Sequence, residues 1–134
     1  MNVQAYLAFS GDCMKAMNFY ADCFNAEITN KQTYEDSKMD IPESYRRNLQ
    51  HAELKGKGIH LMAYDAAPDT PLNNGNMIHL AIDMENRDKA KELFSKLSSG
   101  GQVNHNFTEK EWGAMYGRCT DKFGIHWMVN CDLQ

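Results

Sequence analysis

The residues best placed to do chemistry in this 134-residue chain are three histidines on strand-like runs. His60 lies in Gly58–Tyr64, His79 in Met77–Asp83 and His126 in Ile125–Cys131, each run alternating with the period of a strand. One parity is apolar throughout: Ile59, Leu61 and Ala63; Ile78, Leu80 and Ile82; Ile125, Trp127 and Val129. The other parity is mixed: His60, Met62 and Tyr64; Met77, His79 and Ala81; His126, Met128 and Asn130. A face that is mostly apolar with a few convergent polar groups suits the lining of a concave ligand pocket. Unbranched thioethers such as Met62, Met77 and Met128 adapt to irregular apolar ligands.

Trp112 is a second candidate. It sits in the polar stretch Phe107–Gly113, where a large aromatic must cover something, either a flat ligand or a seam between two copies. Glu109 and Glu111 flank it and are the simplest candidates for a general base, with a solvated role as the default. Asp121, ahead of Phe123-Gly124, reads as a turn device, because Asp accepts backbone bonds and Gly permits positive φ. Arg46-Arg47 could pair with an anionic ligand from the polar segment Lys31–Asn48, which has the composition of a flap. His51 and His105 have no such company and read as surface or loop residues. Cys13, Cys23, Cys119 and Cys131 form no ligand-spaced pair and read as reduced, packed thiols.

The elements that must position these groups occur twice. Shifted by 74 residues, Tyr6-Leu7-Ala8 falls on Leu80-Ala81-Ile82, and Asp12 on Asn86, both good N-cap residues. Ala16, Phe19, Tyr20 and Cys23 then fall on Ala90, Leu93, Phe94 and Leu97, the stripe of an amphipathic helix. Asn25 stops the first helix and Gly100-Gly101 the second. At the ends of the halves, Gly58-Ile59-His60-Leu61-Met62 reads against Gly124-Ile125-His126-Trp127-Met128. Each half is therefore a βαβββ unit. The first half is predicted to contain Val3–Phe9, Asp12–Phe24, Glu27–Tyr34, Leu49–Lys55 and Gly58–Tyr64. The second contains Met77–Asp83, Arg87–Ser98, Gln102–Phe107, Met115–Thr120 and Ile125–Cys131.

The reading is of one domain over residues 1–134: repeat one at 1–65, a linker at 66–76 and repeat two at 77–134. The expected class is α+β, with two tandem repeats forming an incomplete eight-stranded barrel-like sheet and the helices outside. A net charge of −4 argues against a nucleic-acid partner. No apolar run approaches the ~20 residues of a membrane helix. The opening Met1-Asn2-Val3-Gln4 lacks the order of a signal peptide, so a cytoplasmic location is expected.

The segments Tyr6-Leu7-Ala8-Phe9-Ser10-Gly11-Asp12, Ala16 and Phe19-Tyr20 resemble the N-terminal signature of the PhnB-like family. So do Trp112-Gly113-Ala114, Gly117, Thr120-Asp121-Lys122-Phe123-Gly124 and Trp127-Met128-Val129-Asn130. That family carries a 3-demethylubiquinone methyltransferase-like label. It belongs to the vicinal oxygen chelate superfamily of glyoxalases, bleomycin-resistance proteins and dioxygenases. The resemblance implies a homodimer, with pockets formed with a partner's help. The methyltransferase label finds no glycine-rich strand-to-helix turn followed by an acidic residue. Metal-using members hold their ion from the first and last strands of each half. Here those positions offer Ala5, His60 or Leu61, Met77 or His79, and Met128. Ala cannot ligate, a thioether is a poor ligand for Zn²⁺, Mn²⁺ or Fe²⁺, and no carboxylate is read beside the histidines.

The expectation is thus a protein that binds an unidentified small molecule, with no metal and no other cofactor. The ligand-binding residues are His60, Met62, His79, Trp112, His126, Met128 and Asn130, and no residue is assigned a catalytic role. The alternative is a metal-dependent lyase, isomerase or dioxygenase using His60 and His79. A third reading is an interaction domain whose interior is filled by its own side chains.

Overall fold

The computed structural model describes residues 1–132. The first repeat runs β1 (Tyr6–Phe9), α1 (Cys13–Phe24), β2 (Glu27–Thr33), β3 (Leu49–Gly56) and β4 (Ile59–Asp65), with a 3₁₀ turn at Glu43–Tyr45. The second runs β5 (Leu80–Met84), α2 (Arg87–Ser98), β6 (Gln102–Glu109), β7 (Ala114–Thr120) and β8 (His126–Asp132). Two four-stranded sheets result, ordered β1-β4-β3-β2 and β5-β8-β7-β6. In each, the first and last strands of the repeat pair in parallel and the others antiparallel. The architecture is α+β with two βαβββ repeats. The chain divides into two compact units, Met1–Asn73 and the remainder from Asn74.

Within each unit the helix packs on one face of its sheet, and the alternation of strand burial follows. In β4, Leu61 and Ala63 are buried while Met62 and Tyr64 are half-buried. In β8, Trp127, Val129 and Cys131 are buried, while His126, Met128 and Asn130 are half-buried. The apolar parity meets the helix because a helix covers only one side of a pleated sheet.

α2 buries Ala90, Leu93, Phe94 and Leu97, the stripe its sequence predicts. Asn86 caps it, its Oδ1 accepting the Lys89 N–H at 2.9 Å. In β7, Gly117 lies under the stacked rings of Phe94 and Phe107, where a Cβ would come within 3.0 Å of both residues.

α1 differs from its expected stripe. It buries Cys13, Ala16, Met17 and Tyr20, leaving Phe19 and Cys23 half-buried, and Asp12 makes no side-chain cap. The cause is Asp65 at the end of β4. Its Oδ1 accepts the amides of Gly11 at 2.8 Å and Cys13 at 2.9 Å, and its Oδ2 accepts that of Leu49 at 2.9 Å. A buried carboxylate therefore takes the Cys13 amide, one of the orphan donors of the helix start, together with the Gly11 amide just before it, and draws the first turn inward. The equivalent position of repeat two is Cys131, and no such anchor forms there. Asn25 ends α1 in the left-handed region at φ 51°.

The segment expected as a flap is fastened. Tyr34 Oη donates to the Asp65 carbonyl at 2.6 Å, and Tyr45 Oη donates to that of Ala66. Arg46 Nη1 faces the carbonyls of Tyr34, Glu35 and Ser37 at 3.2–3.3 Å, and Ile41 is buried. The Arg46 guanidinium is thus engaged by its own segment rather than presented to an anion.

Two strands start three residues later than expected: β1 begins at Tyr6 rather than Val3, and β5 at Leu80 rather than Met77. Val3, Met77 and Ile78 are exposed, so Met77 lies on no strand face. None of the described helices is long and apolar enough to cross a membrane.

Candidate functional site

In the first unit, the sheet face turned away from α1 carries three cross-strand rows. Register places Tyr6, Met62, Glu53 and Thr29 in one row across β1, β4, β3 and β2. His60 pairs with Lys55 in the next row, and His51 lies one step along β3 on the other side, near Tyr64. The alternation of β3, with Ala52 and Leu54 buried, turns His51 and Glu53 to this face.

Glu53 is the centre of the cluster. Its Oε1 lies 2.9 Å from His60 Nε2 and its Oε2 3.8 Å from His51 Nε2. Asn30 Nδ2 donates to Oε2. Asn30 reaches this face because β2 is irregular there, with Asn30 at φ 52° and the register shifting between Thr29 and Gln32. The Asn30 hydrogen bond, then that of His60, holds the Glu53 carboxyl at about 2, well below its ordinary value. Gln4 Nε2 lies 3.3 Å from His60 Nδ1, and Tyr6 Oη lies 2.5 Å from His51 Nδ1. Tyr6 packs edge-on to Tyr64 with ring centres 5.3 Å apart. Burial, then Tyr64, raises the Tyr6 phenol and keeps it protonated. The Thr29 hydroxyl is buried without a hydrogen-bond partner.

Two sequence expectations are corrected here. A carboxylate does stand beside the histidines, and His51 is part of a hydrogen-bonded cluster. Strand parity extended to Leu49–Lys55 would have placed His51 and Glu53 together. Nothing in the sequence indicates the irregularity that brings Asn30 to them.

In the second unit, His126 Nε2 donates to the Gly75 carbonyl at 2.8 Å, and its Nδ1 faces Thr120 Oγ1 at 2.8 Å. His79 precedes β5 rather than lying within it, yet its ring centre is 5.3 Å from that of His126. Burial, then the neighbouring His126 and Arg118, lowers its basicity. Trp112 is 68% exposed and stands 6.1 Å from Tyr116, which also meets His105 at 6.1 Å. Register sets Tyr116 beside Asn130 and Arg118 beside Met128. Asn130 Nδ2 faces the carboxylates of Asp83 and Asp132, each at 3.3 Å, along an open depression also lined by Met84 and Glu85. Asp121 acts as the turn device its sequence suggests: Oδ1 accepts Phe123 and Ile125 amides, and Oδ2 accepts the Trp127 indole at 2.8 Å.

The expected residues thus fall into two sets. His60 and Met62 belong to the first unit, and His79, Trp112, His126, Met128 and Asn130 to the second. Among the described residues no three His, Cys, Asp or Glu side chains are arranged to hold a metal ion.

The 3-demethylubiquinone-9 3-methyltransferase family matches residues 1–130. The structure of protein PA1353 from Pseudomonas aeruginosa is similar over 100% of this chain and 99% of its own, at 28% identity and a TM-score of 0.88. A putative 3-demethylubiquinone-9 3-methyltransferase, PhnB protein, from Bacillus cereus aligns over 98% and 99%, at 22% identity and a TM-score of 0.84. A glyoxalase/bleomycin resistance protein/dioxygenase family enzyme from Burkholderia phytofirmans PsJN aligns over 96% and 98%, at 14% identity and a TM-score of 0.64.

Proposed function

The chain belongs to the 3-demethylubiquinone-9 3-methyltransferase family, within the glyoxalase/bleomycin-resistance/dioxygenase fold, and from that premise we propose that it binds a small, partly aromatic or apolar molecule. The molecule meets the helix-free sheet face of a single unit, through His60 and Met62 in the first or through His79, His126, Met128 and Asn130 in the second. Trp112 stacks on it. The protein acts as a homodimer in the cytoplasm.

The observation that carries this reading is the composition of those faces. A sheet face needed only for solubility would carry charged, freely solvated side chains. These carry half-buried methionine, histidine, tyrosine and asparagine, the mixture of apolar area and directed polar groups that ligand sites use. The family description alone does not make the protein a methyltransferase, because β1 leads into α1 through Ser10-Gly11-Asp12, with no glycine-rich turn for a nucleotide-like methyl donor.

Native mass spectrometry of protein purified without a His-tag tests the reading directly. A retained small molecule, or one taken up from a library of aromatic metabolites, is the expected result, with binding weakened by Trp112→Ala. Stoichiometric Mn, Fe, Ni or Zn would replace this reading with the metal-dependent one. No binding across the library, with Trp112→Ala indistinguishable from the parent, would refute it.

A further inference from the structure

Resting on the reading that the first unit's helix-free face receives a small molecule, we propose that Tyr6, His51, Glu53 and His60 form an acid–base centre. It removes the proton from a weakly acidic hydroxyl, that of a planar phenol or enol. The four side chains come from three strands and form one line, hydrogen-bonded at both ends and held at an ion-pair distance between His51 and Glu53. Tyr6 Oη meets His51 Nδ1 at 2.5 Å, His51 Nε2 faces Glu53 Oε2 at 3.8 Å, and Glu53 Oε1 meets His60 Nε2 at 2.9 Å.

The order of partners assigns the protons. His60 donates Nε2–H to Glu53 and accepts the Gln4 amide at Nδ1. His51 turns Nε2–H toward Glu53, which leaves Nδ1 as the acceptor for the Tyr6 hydroxyl. This is the logic of a hydroxyl, a base and an orienting carboxylate. Here the hydroxyl belongs to a tyrosine that is 47% exposed, so its remaining lone pairs can accept a ligand proton.

The step balances within the line. The ligand O–H bond breaks and its proton joins Tyr6 Oη, while the proton of Tyr6 passes to His51 Nδ1. Tyr6 is neutral before and after. The negative charge ends on the ligand oxygen and the positive charge on the His51 imidazolium, beside the ionised Glu53. Asn30 and His60 act as positioning residues, each holding one carboxylate oxygen. The Tyr6 and Tyr64 rings with Met62 supply the apolar floor that a planar ring needs. Lys55 on its own strand also acts on Glu53, and Glu27 stands opposite Lys55 on β2. Beyond these, Cys13 on α1 acts on Tyr6.

The test uses p-nitrophenol, whose phenolate is distinguished from its phenol by absorbance, with binding measured independently by equilibrium dialysis. Bound to the unaltered protein, the probe should ionise about one pH unit lower than in free solution. Tyr6→Phe keeps the ring and should bind the neutral phenol within about twofold at a pH well below its ionisation while losing the shift, because a phenyl neither hydrogen-bonds the phenolate nor passes its proton to His51. Glu53→Gln should reduce the shift. Binding without a shift, or a full shift in Tyr6→Phe, overturns the relay and leaves the binding reading intact. Absence of p-nitrophenol binding also overturns the relay, while native mass spectrometry judges the binding reading separately.

Discussion

The buried Asp65 carboxylate accepts the Cys13 amide at 2.9 Å across 52 residues of chain, joining the start of α1 to the end of β4. The same side chain takes the amides of Gly11 and Leu49, and its carbonyl takes the Tyr34 hydroxyl. One residue therefore ties the helix, the last strand and the inserted segment of repeat one.

Asp65→Ala leaves three amides without their acceptor in the interior. Hydrogen bonds to a charged group contribute about 1.5–3 kcal/mol, and orphaned donors add their desolvation cost. A loss of about 3–5 kcal/mol in urea unfolding is expected, with Tyr34→Phe costing about 1 kcal/mol. Equal effects from the two variants would show that the carboxylate is not the anchor.

Trp127→Phe tests a different tie, in repeat two. It removes the indole donor to Asp121 Oδ2 and leaves a void in the core beside a buried carboxylate. A cost of about 2–4 kcal/mol is expected. Trp112→Phe, at an exposed position, should stay within about 0.5 kcal/mol of the parent. Chemical denaturation of both variants compares them directly.

Glu53 predicts a pH window. Its carboxyl is lowered from 4.5 to about 2, chiefly by Asn30 and then His60, so the folded state favours the charged form. Its stabilisation is complete above about 4.5 and is lost as pH falls toward about 2. Glu53→Gln should therefore show a shallower decline of stability across that interval, measured by urea unfolding at a series of pH values. An unchanged slope would mean that Glu53 is not preferentially ionised in the fold.

Cys13 should be chemically silent in the native state. It is fully buried, and burial followed by the Asp65 charge pushes its thiol up to about 12. Cys119 and Cys131 are buried as well, whereas Cys23 is half-buried. Alkylation by iodoacetamide at pH 8, followed by peptide mass mapping, should label Cys23 first and the others only after denaturant is added. Early labelling of Cys13 would contradict its packing.

The repeat is legible in the sequence because it rests on short-range regularities. The stripe Ala90, Leu93, Phe94 and Leu97, the turn at Asp121–Gly124 and the alternation of Ile59–Asp65 and His126–Asp132 are set by helix period, strand period and turn chemistry within a few residues. The resemblance to the PhnB-like family rests on segments of the same kind, and the family match over residues 1–130 agrees with it. The tertiary structure alone decides the groupings made by register and by buried charge. Tyr6, His51 and His60 gather beside Glu53 because three strands, β1, β4 and β3, align them, and strand register depends on the partner strand rather than on local pattern. The sequence marks Asp65 only as a polar residue at a strand end. Folding encloses it among the amides of Gly11, Cys13 and Leu49, and with that anchor α1 buries Cys13 and Met17 beside the Ala16 and Tyr20 of its predicted stripe.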